Sequence, residues 1–186
     1  MAARLAALVL IILALAGCLG PETPQGLYAP GPVPGAEAAD PLLVGHRLMD
    51  AGEYELALRA YSRAAAEQGM TGDVLAGMGS AHLAQGRLET AERLLRRAVE
   101  AEDATPEFWN NLGVVLVEKG EYAEAEQMLR RAYALDSGES DAIRDNLRLA
   151  LAKSANSVYG EDAIQANQKY KVVRRGGGSY LLRTIP

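Results

Sequence analysis

The sequence predicts an all-α solenoid: three helix-turn-helix repeats closed by a C-terminal capping helix, behind an N-terminal signal and a linker. Three observations carry this. Residues 38–71, 72–105 and 106–139 are copies of one unit with a period of 34, sharing five columns of small and apolar residues. A helical apolar stripe follows the last copy. The stretch ahead of the first copy is dense in proline and glycine, a composition that cannot pack a core.

In chain order, residues 1–17 come first. Arg4 is the positive end of a secretory signal, residues 5–15 are its apolar run, and small residues precede the cut. Cys18 closes the string Leu15-Ala16-Gly17-Cys18. A cysteine in that place resembles the pattern of bacterial lipoproteins. The resemblance implies diacylglycerol on the Cys18 thiol, cleavage before it and acylation of the new amine, with no other cofactor. A transmembrane helix is the competing reading, but the run is shorter than the ~20 residues a span needs, and Gly20-Pro21 stops it. Inner-membrane lipoproteins resemble one another in an Asp after the cysteine; here that residue is Leu19. By resemblance the chain is expected on the outer membrane, facing the periplasm. Cys18 is the only cysteine, so no disulfide can staple the mature chain and packing must hold it.

Residues 18–37 read as a tether. From Gly20 to Pro41 the chain carries Pro21, Pro24, Pro30, Pro32, Pro34 and Pro41, with Gly26, Gly31 and Gly35 between them, a composition that favours extended backbone. At ~3.1 Å per residue, roughly 18 residues reach about 50 Å. Reach is the expected role.

Charge is unevenly placed. The whole chain carries a formal −5, but residues 37–153 hold 21 acids and 13 bases, a net of −8. Beyond Asp162 there are five bases, Lys169, Lys171, Arg174, Arg175 and Arg183, and no acid. An acidic body argues against nucleic-acid binding. The basic tail could meet anionic lipid, an acidic partner or the chain's own body, or simply be solvated.

The repeat columns are Gly45, Gly79, Gly113; Gly52, Gly86, Gly120; Ala57, Ala91, Ala125; Tyr61, Leu95, Leu129; and Ala64, Ala98, Ala132. Leu48, His82 and Leu116 form a further column in which His82 is the odd member. The third copy reads Trp109-Asn110-Asn111-Leu112-Gly113, then Leu116, Gly120, Tyr122, Ala125, Leu129 and Ala132. This resembles the tetratricopeptide repeat (TPR), whose units pair a helix A with a helix B and stack into an array with a concave face lined by the A helices. In that frame Gly113 lets helix A approach helix B, and Ala125 and Ala132 leave room for a neighbouring helix. Gly120 suits the left-handed turn that ends helix A. Pro106 suits a first helical turn, where its missing N–H costs nothing. Pro41 stands where a large residue is usual, so the first helix is expected to start late. Residues 140–154 follow as a capping helix, with Ile143, Leu147, Ala150 and Leu151 on one face covering the open end.

The chemistry expected is binding, not catalysis. There is no P-loop, dinucleotide fingerprint, HExxH or serine-nucleophile motif. His46 and His82 are the only histidines and sit at different positions of their units, a poor start for a metal site. No enzyme activity, metal or small-molecule substrate is expected.

By the TPR resemblance, the groove-facing positions are Leu42, His46 and Met49 in the first unit, Ala76, Ser80 and Leu83 in the second, and Asn110, Val114 and Val117 in the third. Asn111 and Asn146 fall one position away. Asparagine in such a groove often bonds a peptide backbone, because an amide both donates and accepts. The alternative is that Leu42 and Leu83 are core and that Asn111 bonds locally. The groove lacks a Lys/Arg clamp, so an apolar helix or strand is expected in it, not a carboxylate terminus. In the tail, residues 155–186, the strings Tyr170-Lys171-Val172-Val173 and Ser179-Tyr180-Leu181-Leu182 are strand-like around Gly176-Gly177-Gly178. They could pair as a hairpin, add a strand to a partner sheet, or stay disordered.

The signal, the tether, the repeats and the string Asp141-Ala142-Ile143-Arg144-Asp145-Asn146-Leu147 together resemble the TPR lipoproteins of the Tad locus, implicated in Flp pilus assembly. That resemblance implies an outer-membrane assembly factor or pilotin with protein partners, a secretin or another pilus or secretion subunit. An adaptor presenting periplasmic hydrolases or proteases is the other expectation.

Overall fold

The computed structural model describes residues 39–158, 170–175 and 178–184. The signal, Cys18 and the tether lie outside the described residues. Among the described residues there are seven helices and two strands: α1 (Pro41–Asp50), α2 (Tyr54–Gln68), α3 (Gly72–Ala84), α4 (Leu88–Val99), α5 (Pro106–Lys119), α6 (Tyr122–Leu135), α7 (Asp141–Val158), β1 (Tyr170–Arg174) and β2 (Tyr180–Thr184). Helices α1, α3 and α5 are the A helices of three stacked pairs, and α2, α4 and α6 are their B helices. None of the helices is long and apolar enough to cross a membrane.

Local chemistry sets the helix ends. The Asp40 carboxylate accepts from the Leu42 amide at 2.9 Å, with Pro41 at the first helical position. That start falls at the fourth residue of its unit, whereas α3 and α5 start at the first, Gly72 and Pro106. Thr71 caps α3 through the Val74 amide at 3.3 Å. The A helices all stop in the same way. Gly52, Gly86 and Gly120 have φ of +78°, +72° and +82°, and the next amide returns to a carbonyl five residues back. These bonds are Glu53 to Leu48, Arg87 to His82 and Glu121 to Leu116, each at 2.9 Å. What the column of Leu48, His82 and Leu116 shares is therefore a main-chain acceptor, which explains how a histidine is tolerated there.

The glycine column meets the large apolar column. A Cβ on Gly45 would lie 2.4 Å from the Tyr61 ring, one on Gly79 2.7 Å from Leu95 Cγ, and one on Gly113 2.5 Å from Leu129 Cγ. Helices A and B thus touch backbone to side chain, and the six column alanines of the B helices are fully buried. Helix α7 packs on α6 and α5 and runs four residues beyond the expected 154. Its Ile143 and Ala150 are fully buried.

Of the three readings of the tail, the described residues show the hairpin: β1 and β2 pair antiparallel within this chain, with Val172 opposite Leu182 and Arg174 opposite Tyr180. An isolated two-stranded hairpin is marginal in water. This one is supported from one side: Tyr180 and Leu182 are buried with the helical core, and Val172 packs against it.

Candidate binding groove

Strand β2 lies in the concave face of the array, held by its main chain. Arg175 N–H donates to Ser179 O at 2.9 Å on the β1 side. By the alternation of an antiparallel pair, residues 178, 180 and 182 turn their amides and carbonyls to the opposite edge. Three asparagines receive that edge. Asn111 accepts from Tyr180 N–H at 3.1 Å and donates to Gly178 O at 2.9 Å. Asn146 accepts from Leu182 N–H at 2.9 Å and donates to Tyr180 O at 2.5 Å. Asn110 donates to the same Tyr180 oxygen at 3.0 Å.

The amides also bond one another across three helices. Asn146 donates to Asn110 Oδ1 at 2.8 Å, Asn110 to Asn111 Oδ1 at 3.1 Å, and Asn111 to Ser80 Oγ at 3.2 Å. Every N–H of the three side-chain amides has a partner. The three are at most 2% exposed, and a buried polar network is stabilising only when it is satisfied in this way. A strand edge, ordinarily open to further pairing, is closed here by side chains in place of another strand.

Side chains add selectivity to this main-chain contact. The Tyr180 hydroxyl donates to Ser80 O at 3.0 Å, and its burial pushes the phenol pKa up. Arg174 on β1 reaches α1, donating to the Asp50 carboxylate and to His46 O at 3.5 Å. His46 Nδ1 in turn meets the Tyr61 hydroxyl at 3.1 Å, the rings edge to face. Burial and the neighbouring Arg174 charge lower the His46 pKa.

Beyond Gly178 none of the described residues fills the groove. A cavity of about 520 Å³ remains between α1, α3 and α5, with Met49, Ala76 and Phe108 among its apolar walls and Asp50, Asp73 and Glu107 as its carboxylates.

A model of the tetratricopeptide repeat family matches residues 42–101 and 76–140, more than half of the chain. The chain belongs to the tetratricopeptide repeat family. No curated protein matches it. Among solved structures, the TPR domain of Sgt2 from Aspergillus fumigatus is similar with a TM-score of 0.61 at 20% identity, over 79% of this chain and 98% of that one. The second TPR domain of human RPAP3, solved in complex with the HSP70 peptide SGPTIEEVD, gives 0.54 at 21% identity, over 60% of this chain and 92% of that one. The Yersinia enterocolitica type III secretion translocator chaperone SycD gives 0.55 at 20% identity, over 61% and 91%. At these identities the likeness is one of fold. TPR domains are protein-interaction scaffolds, and this chain has their architecture.

Within the TPR array the expected groove residues divide into three groups. Asn110, Asn111, Asn146 and Ser80 are brought together as the cradle of β2. His46, Met49, Ala76, Ser80 and Asn111 line the open cavity. Leu83, Val114 and Val117 are buried in the apolar core and do not line it, and Leu42 is half-buried against the same core. Leu83 follows Ala76 and Ser80 on one face of α3, and Val114 and Val117 follow Asn110 on one face of α5; the cluster that buries them includes Tyr180 and Leu182 of β2. Asn111 does bond locally, to Asn110 and Ser80, and spans to β2 as well.

Sequence reasoning did not place Asp50, Asp73, Phe108, Glu107, Tyr180 and Arg174 at the groove. The available signal was charge: five bases in the tail against an acidic body. The position of Asn111 is Gly77 in the second unit, where a Cβ would lie 2.7 Å from the Tyr61 ring. The amide cradle is consequently confined to the third unit and the cap.

Proposed function

We propose that this TPR protein is a lipid-anchored periplasmic scaffold, tethered to the outer membrane through Cys18, whose groove takes an extended segment of a partner during assembly of a Tad/Flp-type pilus or secretin machine. One observation carries the groove reading: three asparagine amides hold a strand by its main chain, which is recognition of extended backbone largely independent of sequence. The peptide complex of human RPAP3 supports the same use of a TPR groove. Its peptide ends in Glu-Glu-Val-Asp, whereas the cavity here is lined by Asp50, Asp73 and Glu107 against one cation, Arg174, which is paired with Asp50. That charge disfavours an acidic terminus and favours an apolar or basic segment. The anchor and the pilus assignment are supported by the Cys18 motif and by the cap string at residues 141–147. No catalytic step is proposed for the chain.

The test is affinity capture from the envelope, comparing the wild type with Cys18→Ser. Recovery of a secretin or pilus-export subunit, lost in the variant, is the expected result. Recovery of hydrolases or proteases without any secretion subunit would replace the assembly reading with that of an adaptor.

A further inference from the structure

We infer that β2 is a resident copy of the groove's external ligand, and that the partner supplies an extended strand carrying Tyr-x-Leu preceded by apolar and basic residues, bound in place of the hairpin. The inference rests on the groove reading above and names the chemistry of its ligand.

Gly178, Tyr180 and Leu182 are the positions the cradle reads. Asn111, Asn110 and Asn146 grip their carbonyls and amides, the Tyr180 ring and hydroxyl are enclosed down to Ser80 O, and Leu182 is buried. Going from Leu182 back to Gly178, the strand runs from α7 to α5, toward α3 and α1. There the hairpin must reverse: Gly178 has φ +82°, and the chain returns through Arg175 to β1. The cavity of about 520 Å³ starts at this reversal, lined by both Gly178 and Arg174. A strand from another protein has no β1 to rejoin. It continues past the Gly178 position over α3, burying apolar side chains against Met49, Ala76 and Phe108 and placing a basic one beside Asp73 and Glu107.

Competition follows from this geometry. The hairpin is covalently attached, so its effective concentration at the groove is on the order of mM. A short external strand making only the contacts of β2 is excluded by it. A longer strand gains the cavity that the hairpin leaves unused.

The test uses the full mature chain and two labelled synthetic strands, GSYLLRTIP, which copies residues 178–186, and KVKVGSYLLRTIP. The longer strand is expected to bind at least tenfold more tightly. Hydrogen exchange should show the Tyr180 and Leu182 amides of the chain losing protection as it binds. Glu107→Gln should reduce the advantage of the longer strand, and Tyr180→Ala, which weakens hairpin docking, should admit the short one. Equal affinity for the two strands, or binding with both amides still protected, would overturn the inference while leaving the groove a receptor. Absence of binding to both the wild type and Tyr180→Ala would overturn the groove reading with it. The exchange measurement on the wild type stands whether or not the variant folds.

Discussion

Asn146 on α7 donates to the main-chain carbonyl of Tyr180 on β2 at 2.5 Å, and that oxygen also accepts from Asn110 at 3.0 Å. Both lone pairs of one carbonyl are thus held by two helices of the array. The capping helix therefore closes the solenoid and also supplies half of the grip on β2. Asn146→Ala strips a partner from Tyr180 O, from Leu182 N–H and from Asn110 Oδ1 together. Leaving buried polar groups unpaired costs about 1–3 kcal/mol. The expected result is a lower urea midpoint, with protection from hydrogen exchange lost first at the Leu182 amide. If Leu182 exchanges as slowly in the variant as in the wild type, the cradle does not hold the strand.

Gly113 fixes the spacing of α5 and α6. Alanine is the better helix former by up to about 1 kcal/mol, so propensity alone predicts that Gly113→Ala stabilises. The structure predicts the opposite, because the new Cβ would sit 2.5 Å from Leu129 Cγ and overpacking costs about 1–3 kcal/mol. Thermal unfolding of Gly113→Ala should show a lower midpoint. In a Leu129→Ala background the same substitution should cost less, a coupling that a double-mutant cycle measures.

The repeat body was legible because its determinants are periodic. Gly113 against Leu129, Gly120 at a left-handed turn and Pro106 at a first helical turn each appear in the sequence as a column or a punctuation mark. The cradle was half legible: Asn110, Asn111 and Asn146 could be mapped, but not what they hold. Their partner lies 67–70 residues away from Asn110 and Asn111 in the chain. Its contacts are main-chain atoms, which leave no side-chain signature. The strand character of Tyr180–Thr184 was visible in the sequence, but not the groove that receives it.

An ionic network joins the second and third repeats. Glu92 on α4 accepts from Lys119 on α5 and, at 2.7 Å, from Arg96, which also reaches Glu124 on α6 at 2.6 Å. The hydrogen bond from Lys119, then that from Arg96, holds the Glu92 pKa down, and Arg96 does the same for Glu124. A carboxylate with a lowered pKa contributes stability above its ordinary range, and that stability is lost as pH falls through the lowered value. Glu92→Gln should cost up to about 1 kcal/mol at neutral pH in low salt. The gap from wild type should close on acidification below the carboxylate range. A gap that persists unchanged into acid would assign the loss to packing.

Hairpin docking should weaken as pH falls through the range just below the ordinary histidine value of about 6.5. His46 is the group responsible. Burial, then Arg174, lowers its pKa, while Asp73, Asp50 and Asp40 act in the raising direction. Arg174 is carried by the hairpin, so release removes one cause of the lowering, and His46 takes up a proton more readily in the released form than in the docked one. The stabilisation is therefore complete above the ordinary value and is lost as pH falls toward the lowered one. His82 is also shifted down by burial, but it lies away from β1 and β2, so it enters global unfolding and not release of the strand. The measurement is the exchange rate of the Leu182 amide, corrected for its intrinsic pH dependence, at pH 7.5 and pH 5.5. Wild type should open more readily at the lower pH, and His46→Gln should open equally at both. An unchanged pH response in His46→Gln would place the titrating group elsewhere.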